Sequence, residues 1–396
     1  MQEPRAGWPV NLLLTALVAF QAISTDLYLA SLPTMVRVFE TDEARVQLTL
    51  SVFLFGSAVM QLAYGPLSDR FGRRPILRAG IALYVVASLA CAMATTIEML
   101  IVCRLLQAIG SCAGVTIGRA VVRDLYQPSV AAKVLAYMSS AMALAPILGP
   151  MLGSWVTVLF GWRANFLLLS GFGALCLVGL YTLLDESNRH RDPTALQPMR
   201  LVGNYASLFR DRVYLGYVSA ATLAYCTIFC FISASSFTLI DVVGVPTEYY
   251  GFCFGAAAAG YALGALAAGR LVTRHGIDRM IRIGTAICAG FGLLGAALAW
   301  GHVANLAAVL GPFVAVMVGV GLIMPTSIAG AVGSYPKMAG TASALLGFLQ
   351  LGIAALVGIG VGHLLDETTR PMMSAIAVVT LANFILFRLL LRPKPA

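Results

Sequence analysis

Long apolar runs separated by short polar intervals dominate the chain. Twelve runs can be traced, at roughly 10–38, 44–66, 75–94, 97–121, 130–158, 163–185, 212–240, 247–270, 278–300, 304–330, 336–364 and 370–391. About 20 apolar residues are enough to carry a helix across a bilayer. Barrel strands are only about ten residues long and alternate in polarity. These runs are longer and do not alternate. The pattern therefore predicts an all-α membrane protein with twelve transmembrane helices. The first run is too long for a leader-peptide core, and no clear cleavage site follows it, so it is read as a span.

The longest polar interval, 186–211, divides the runs into six and six. It predicts an N-terminal six-helix half at 1–185, a linker at 186–211 and a C-terminal six-helix half at 212–396. An internal repeat supports the division. GPLSDRFGRRP at 65–75 and GRLVTRHGIDR at 269–279 stand 204 positions apart, and Gly65/Gly269, Leu67/Leu271, Arg70/Arg274 and Gly72/Gly276 coincide. A match at the equivalent loop of each half suggests parallel structural repeats. Small residues every four positions let membrane helices approach closely. Two such stripes, Ala141, Ala145, Gly149, Gly153 and Ala256, Gly260, Gly264, Ala268, are expected to form an interface between the halves.

Composition agrees with this picture, with 59% hydrophobic and only 11% charged residues. A net charge of +9 raises the question of nucleic acid. The basic residues, however, concentrate in alternate intervals, as the positive-inside rule requires. They place both termini and the linker in the cytoplasm and exclude a nucleic-acid role. All eight cysteines fall within apolar runs and read as packing residues rather than metal ligands. The three lysines, Lys133, Lys337 and Lys394, stand at loops, where runs begin, or at the tail, so an intramembrane Schiff base is excluded. There is no phosphate-binding loop. The chain is read as a non-enzyme without cofactor or metal.

Among the charged side chains, Asp26 and Arg104 stand deep within runs. Such residues normally face a cavity or a partner and mark function. Arg104, Gln107 and Ser111 share one helical face and place a cation, an amide and a hydroxyl together. Asp26 is the candidate proton carrier, with Arg104 tuning it. A structural pairing of the two is the plainer alternative. Tyr28, Phe55, Tyr137, Met138, Met142, Tyr225, Phe229 and Phe348 are candidates for an adaptable apolar wall around a substrate. In the 65–75 loop, Gly65 and Gly72 would permit tight turns. Asp69, Arg70, Arg73 and Arg74 there, with Asp124, are candidates for a conformational latch. Asp69 would dock on the start of the eleventh span, where Ser334 would serve as N-cap ahead of Pro336.

These motifs are similar to those of a known family. GPLSDRFGRRP resembles the signature loop of the major facilitator superfamily. RLLQAIG at 104–110 resembles its fourth-span motif, which implies proton coupling through the arginine. APILGPMLG at 145–153, with Pro146, Gly149, Pro150 and Gly153, resembles the fifth-span motif of its antiporters. STDLYLASLP, RAVVRDLY and YPKMAGTASALLG resemble the branch that confers bicyclomycin and chloramphenicol resistance. Ala30 stands where members commonly have proline, and Ser154 replaces a glycine. The resemblance implies a proton-coupled exporter of small molecules in the bacterial inner membrane, and the chain is expected to be a monomer. Export of an endogenous metabolite, such as an amino acid or siderophore, is the alternative.

Overall fold

The computed structural model describes residues 7–188, 191–193, 205–335 and 338–391, without the side chains of 128, 129, 132, 136 and 139–143. Among the described residues every regular element is helical. The first half contains α1 (Trp8–Asp26), α2 (Leu32–Val38), α3 (Glu43–Phe71), α4 (Arg73–Ala92), α5 (Ile97–Leu125), α6 (Pro128–Phe160) and α7 (Trp162–Thr182). The second contains α8 (Arg212–Ser236), α9 (Thr247–His275), α10 (Ile277–Trp300), α11 (Leu306–Gly333), α12 (Ala339–Leu364) and α13 (Arg370–Leu390). Eleven spans among the described residues are long and apolar enough to cross a membrane, counting α1 and α2 as one, and the Leu144–Phe160 part of α6 is apolar as well. The expected all-helical membrane architecture is present.

The chain divides into two compact units. One comprises Met1–Thr41 and Val52–Pro198, and the other Asp42–Ser51 and Met199–Ala396. Asp42–Ser51, at the start of α3, thus belongs to the second unit.

Each unit repeats one helix crossing. Between α4 and α5, a Cβ on Gly110 would come within 2.7 Å of the Gly80 carbonyl oxygen. Between α10 and α11, a Cβ on Gly319 would come within 2.7 Å of the Gly284 carbonyl oxygen. Only glycine permits such backbone approach. The second helix of each crossing starts alike: Thr96 accepts a hydrogen bond from the Met99 amide at 3.2 Å, and Asn305 accepts one from the Ala308 amide at 2.9 Å. Both caps satisfy a donor that the first helical turn leaves open.

Two helical runs depart from a simple span. The first is broken: α1 stops at Asp26, a 3-10 turn covers Leu29–Ser31, and α2 resumes with Pro33 in its first turn. Proline removes an amide donor, which suits a helix start and not a helix interior. The seventh span ends in a π-helical turn at Phe237–Val242.

The small-residue stripes are used differently from the expectation. Gly149 and Gly153 close on α1, and Gly260 and Gly264 close on Val314 and Val318 of α11. Those glycines serve packing inside each unit.

Candidate functional site

The break in the first span is the centre of the polar interior of the first unit. Asp26, the last residue of α1, is buried at 4% exposure. Against it lies α6. A Cβ on Gly149 would stand 3.0 Å from the Asp26 Cβ, and one on Gly153 would overlap the Leu27 carbonyl oxygen. The two glycines of the fifth-span motif thus make room for the break and its carboxylate.

Arg104 of α5 is fully buried. Its Nη1 donates to the Ser24 carbonyl oxygen at 3.1 Å and to Gln107 Oε1 at 2.6 Å. Its guanidinium carbon stands 4.3 Å from the Tyr28 ring centroid, 4.2 Å from Phe53 and 5.9 Å from Phe166. Aromatic faces attract a desolvated cation by about 2 kcal/mol each. Nε and Nη2 have no hydrogen-bond partner. Among the described residues no ion pair joins Asp26 to Arg104. Arg104 instead grips the chain on both sides of Asp26, through the Ser24 carbonyl and the Tyr28 ring. The plainer alternative, a direct pairing of the two, gives way to a contact through the backbone of the break.

A polar chain continues from there. Gln107 Nε2 donates to Ser88 Oγ at 2.7 Å, Ser88 donates to the Tyr84 carbonyl at 2.7 Å, and the Tyr84 hydroxyl lies 2.7 Å from Ser24 Oγ. The ring closes on itself through α1, α4 and α5. Ser111 is not part of it, because its hydroxyl donates to Ala108 of its own helix at 3.0 Å.

The expected wall residues scatter. Tyr28 and Met138 are buried in the first unit, and Phe229 is buried in the second beside Gly358. Phe55 and Tyr137 are exposed, and Tyr225 is half-buried. Phe348 packs on the apolar cluster around Tyr214 and Leu346. The Met142 side chain lies outside the described residues. The α3 aromatic that meets Arg104 is Phe53 rather than Phe55, a shift of about 200° around the helix.

The signature loop is shorter than expected. Residues 65–71 continue α3, so Gly65 makes no turn, and Gly72, at φ +104°, forms the whole bend. Asp69 pairs with Arg73 at 2.5 Å, and Arg73 Nε pairs with Asp124 at 3.0 Å. Arg70 stacks over Phe71. The beginning of the linker then closes on this loop. Glu186 accepts the Arg73 and Arg74 amides at 2.9 and 3.1 Å, Ser187 donates to Asp124 at 3.1 Å, and Asn188 donates to the Asp69 carbonyl at 3.0 Å. Glu186 thereby caps α4 with a negative charge, where the helix dipole favours one. Ser334 does not cap the eleventh span. It is the C-cap of α11 and donates to the Gly330 carbonyl at 2.8 Å, while α12 begins at Ala339. Pro336 lies outside the described residues.

Comparison with known proteins decides the family. The Major Facilitator Superfamily model matches residues 14–359. The chain belongs to that superfamily. A chloramphenicol resistance protein of Pseudomonas aeruginosa is 31% identical, the match covering 98% of this chain and 92% of that protein. A bicyclomycin resistance protein homolog of Haemophilus influenzae is 27% identical over 94% of each chain. Multidrug resistance protein D of Escherichia coli is 28% identical over 86% of each. The likeness to the bicyclomycin and chloramphenicol branch, expected from the motifs, holds over nearly the whole length. The fold is that of solved superfamily members. A D-xylose-proton symporter structure superposes with a TM-score of 0.76 at 16% identity, covering 95% of this chain and 97% of that one. The chain is therefore a multi-pass membrane transporter and not an enzyme.

Proposed function

We propose that the chain exports small organic compounds of the phenicol or bicyclomycin type from the bacterial cytoplasm in exchange for protons. One observation carries the reading: a carboxylate is buried at the break of the first span, against the motif glycine Gly149 and with no ion pair to Arg104. An isolated ionised carboxylate in an apolar interior is costly, so proton binding relieves a large penalty. The same break is held by Arg104 through Ser24 and Tyr28. Protonation of Asp26 thus changes the charge at a point where the span is already discontinuous, which would bias one arrangement of the helices over another. The named relatives support drug export, and the lysine and arginine distribution supports cytoplasmic termini in the inner membrane.

The test is proton release on adding chloramphenicol to the purified chain in weakly buffered detergent. The unaltered protein should release protons. Asp26→Asn keeps the volume and fixes the neutral form. It should release none and should fail to drive export along a pH gradient, while still binding the compound. Equal release by Asp26→Asn would place the carrier elsewhere.

A further inference from the structure

The repeat that relates the two signature loops also relates two arginines. Arg78 of α4 and Arg282 of α10 stand 204 positions apart, like the loops. Both have a buried Nε without a hydrogen-bond partner. Each meets the end of the last helix of its own unit. Arg78 lies 3.9 Å from the ring centroid of Tyr181 in α7, and Arg282 Nη2 donates to the Leu391 carbonyl after α13 at 3.1 Å.

The surroundings differ. In the first unit Arg74 is 3.8 Å from the Asp185 carboxylate and donates to the Tyr181 carbonyl at 3.2 Å. In the second unit the position of Arg74 is taken by Asp278, whose carboxylate accepts the Tyr217 hydroxyl at 2.8 Å. The second cation there is Arg388, which donates to the carbonyl of Phe384, one turn back in α13, at 3.1 Å and lies 3.5 Å above that ring. Among the described residues neither Arg282 nor Arg388 has a carboxylate partner. Beside them Ile283, Leu386 and Leu389 are exposed and apolar.

Two uncompensated guanidinium groups at a helix end, bordered by exposed aliphatic side chains, match an amphiphile with an anionic head. A guanidinium suits a phosphate by its fork of donors. Basic pockets between spans at the membrane surface hold acidic head groups in this way. We propose that Arg282 and Arg388 form a binding site for the phosphate of an anionic phospholipid, with the acyl chains along α10 and α13.

Native mass spectrometry of the full chain, titrated with phosphatidylglycerol or with phosphatidylcholine of the same acyl chains, tests this. The first bound lipid should favour phosphatidylglycerol by about tenfold. The double variant Arg282→Gln/Arg388→Gln should lose the preference. Arg282→Lys/Arg388→Lys should keep most of it, because the charge remains. Arg78→Gln should leave it unchanged. Should the double glutamine variant unfold, Arg388→Gln alone decides, since among the described residues that side chain bonds within its own helix, and it should reduce the preference severalfold. Survival of the full preference without the arginines overturns the proposal. So does displacement of the lipid by inorganic phosphate, which would mark a site for free anions.

Discussion

The two units share a backbone plan and differ in what fills it. Counted from their caps, Arg104 stands eight residues after Thr96, and Phe313 stands eight residues after Asn305. Arg104 is stacked among Tyr28, Phe53 and Phe166, whereas Phe313 stacks on Phe231 with centroids 4.0 Å apart and planes at 12°. The same place in the repeat thus holds a cation among aromatic rings in one unit and a pair of phenyl rings in the other. A phenyl pair in a dry interior stabilises without any charge to desolvate. A buried guanidinium without a carboxylate costs stability unless its surroundings compensate. The second unit shows what packing alone would choose, so the departure in the first is attributed to transport.

That contrast is sharpest when both positions are changed. Arg104→Met should abolish export, because the break at Asp26 loses its grip. Its effect on unfolding in detergent should be small, within about 2 kcal/mol of zero. The two acceptors left open at Ser24 and Gln107 offset the relief of a buried charge. Phe313→Ala should do the opposite. It should cost about 3–5 kcal/mol of stability and leave export per folded molecule near normal. Paired measurements of compound efflux and thermal unfolding decide it. A strongly destabilised Arg104→Met that still exports would make the arginine a packing residue.

Much of this was legible beforehand, because the strongest signals are local. Spans follow from apolar run length, and the repeat from two short loops. Asp26 and Arg104 stand out because charges inside apolar runs are rare. What the sequence hid depends on helical phase and on distant neighbours. Phe53 and Phe55 look alike in composition, and only the rotation of α3 decides which meets Arg104. Tyr84 and Ser88 are spaced as one helical face on α4, a signal that was present, but nothing local says that Ser24 and Gln107 complete the ring. The Glu186 cap joins residues more than a hundred positions apart. Ser334 matched a helix start by residue type alone, and the same hydroxyl serves equally well to close the preceding helix.

The two bends following α3 and α9 offer a second contrast. Gly72 and Gly276 both take positive φ, at 104° and 76°. The first bend carries the Glu186 carboxylate on the amides of Arg73 and Arg74, and the equivalent amides of the second bend have no such side-chain acceptor among the described residues. Glu186→Gln should weaken the cap by about 1 kcal/mol. Hydrogen exchange at the Arg73 and Arg74 amides should rise severalfold, with Ile277 and Asp278 unchanged. A uniform rise in both bends would mean a global loss of stability rather than a lost cap.

The smallest effect concerns how the first and the seventh spans start. α1 is preceded by Gly7, which offers no side-chain cap, whereas Asp211 before α8 accepts the Val213 and Tyr214 amides at 2.7 and 3.4 Å and a hydrogen bond from the Tyr335 hydroxyl. The Tyr335 hydrogen bond, opposed by burial and helped by the two amide bonds, holds the Asp211 carboxyl below its ordinary range. A carboxyl lowered on folding stabilises fully above its unfolded value and loses that contribution as pH falls through the folded one. Asp211→Ala should therefore cost about 1 kcal/mol near pH 7, and the cost should shrink below about pH 4. Asp211→Asn caps without ionising, so its stability relative to Asp211→Ala should be nearly independent of pH. Thermal unfolding of the three chains across the acid range measures the difference. An alanine penalty that stays constant down to the lowest pH would show that the charge on Asp211 plays no part, and that α8 starts as α1 does, by backbone geometry alone.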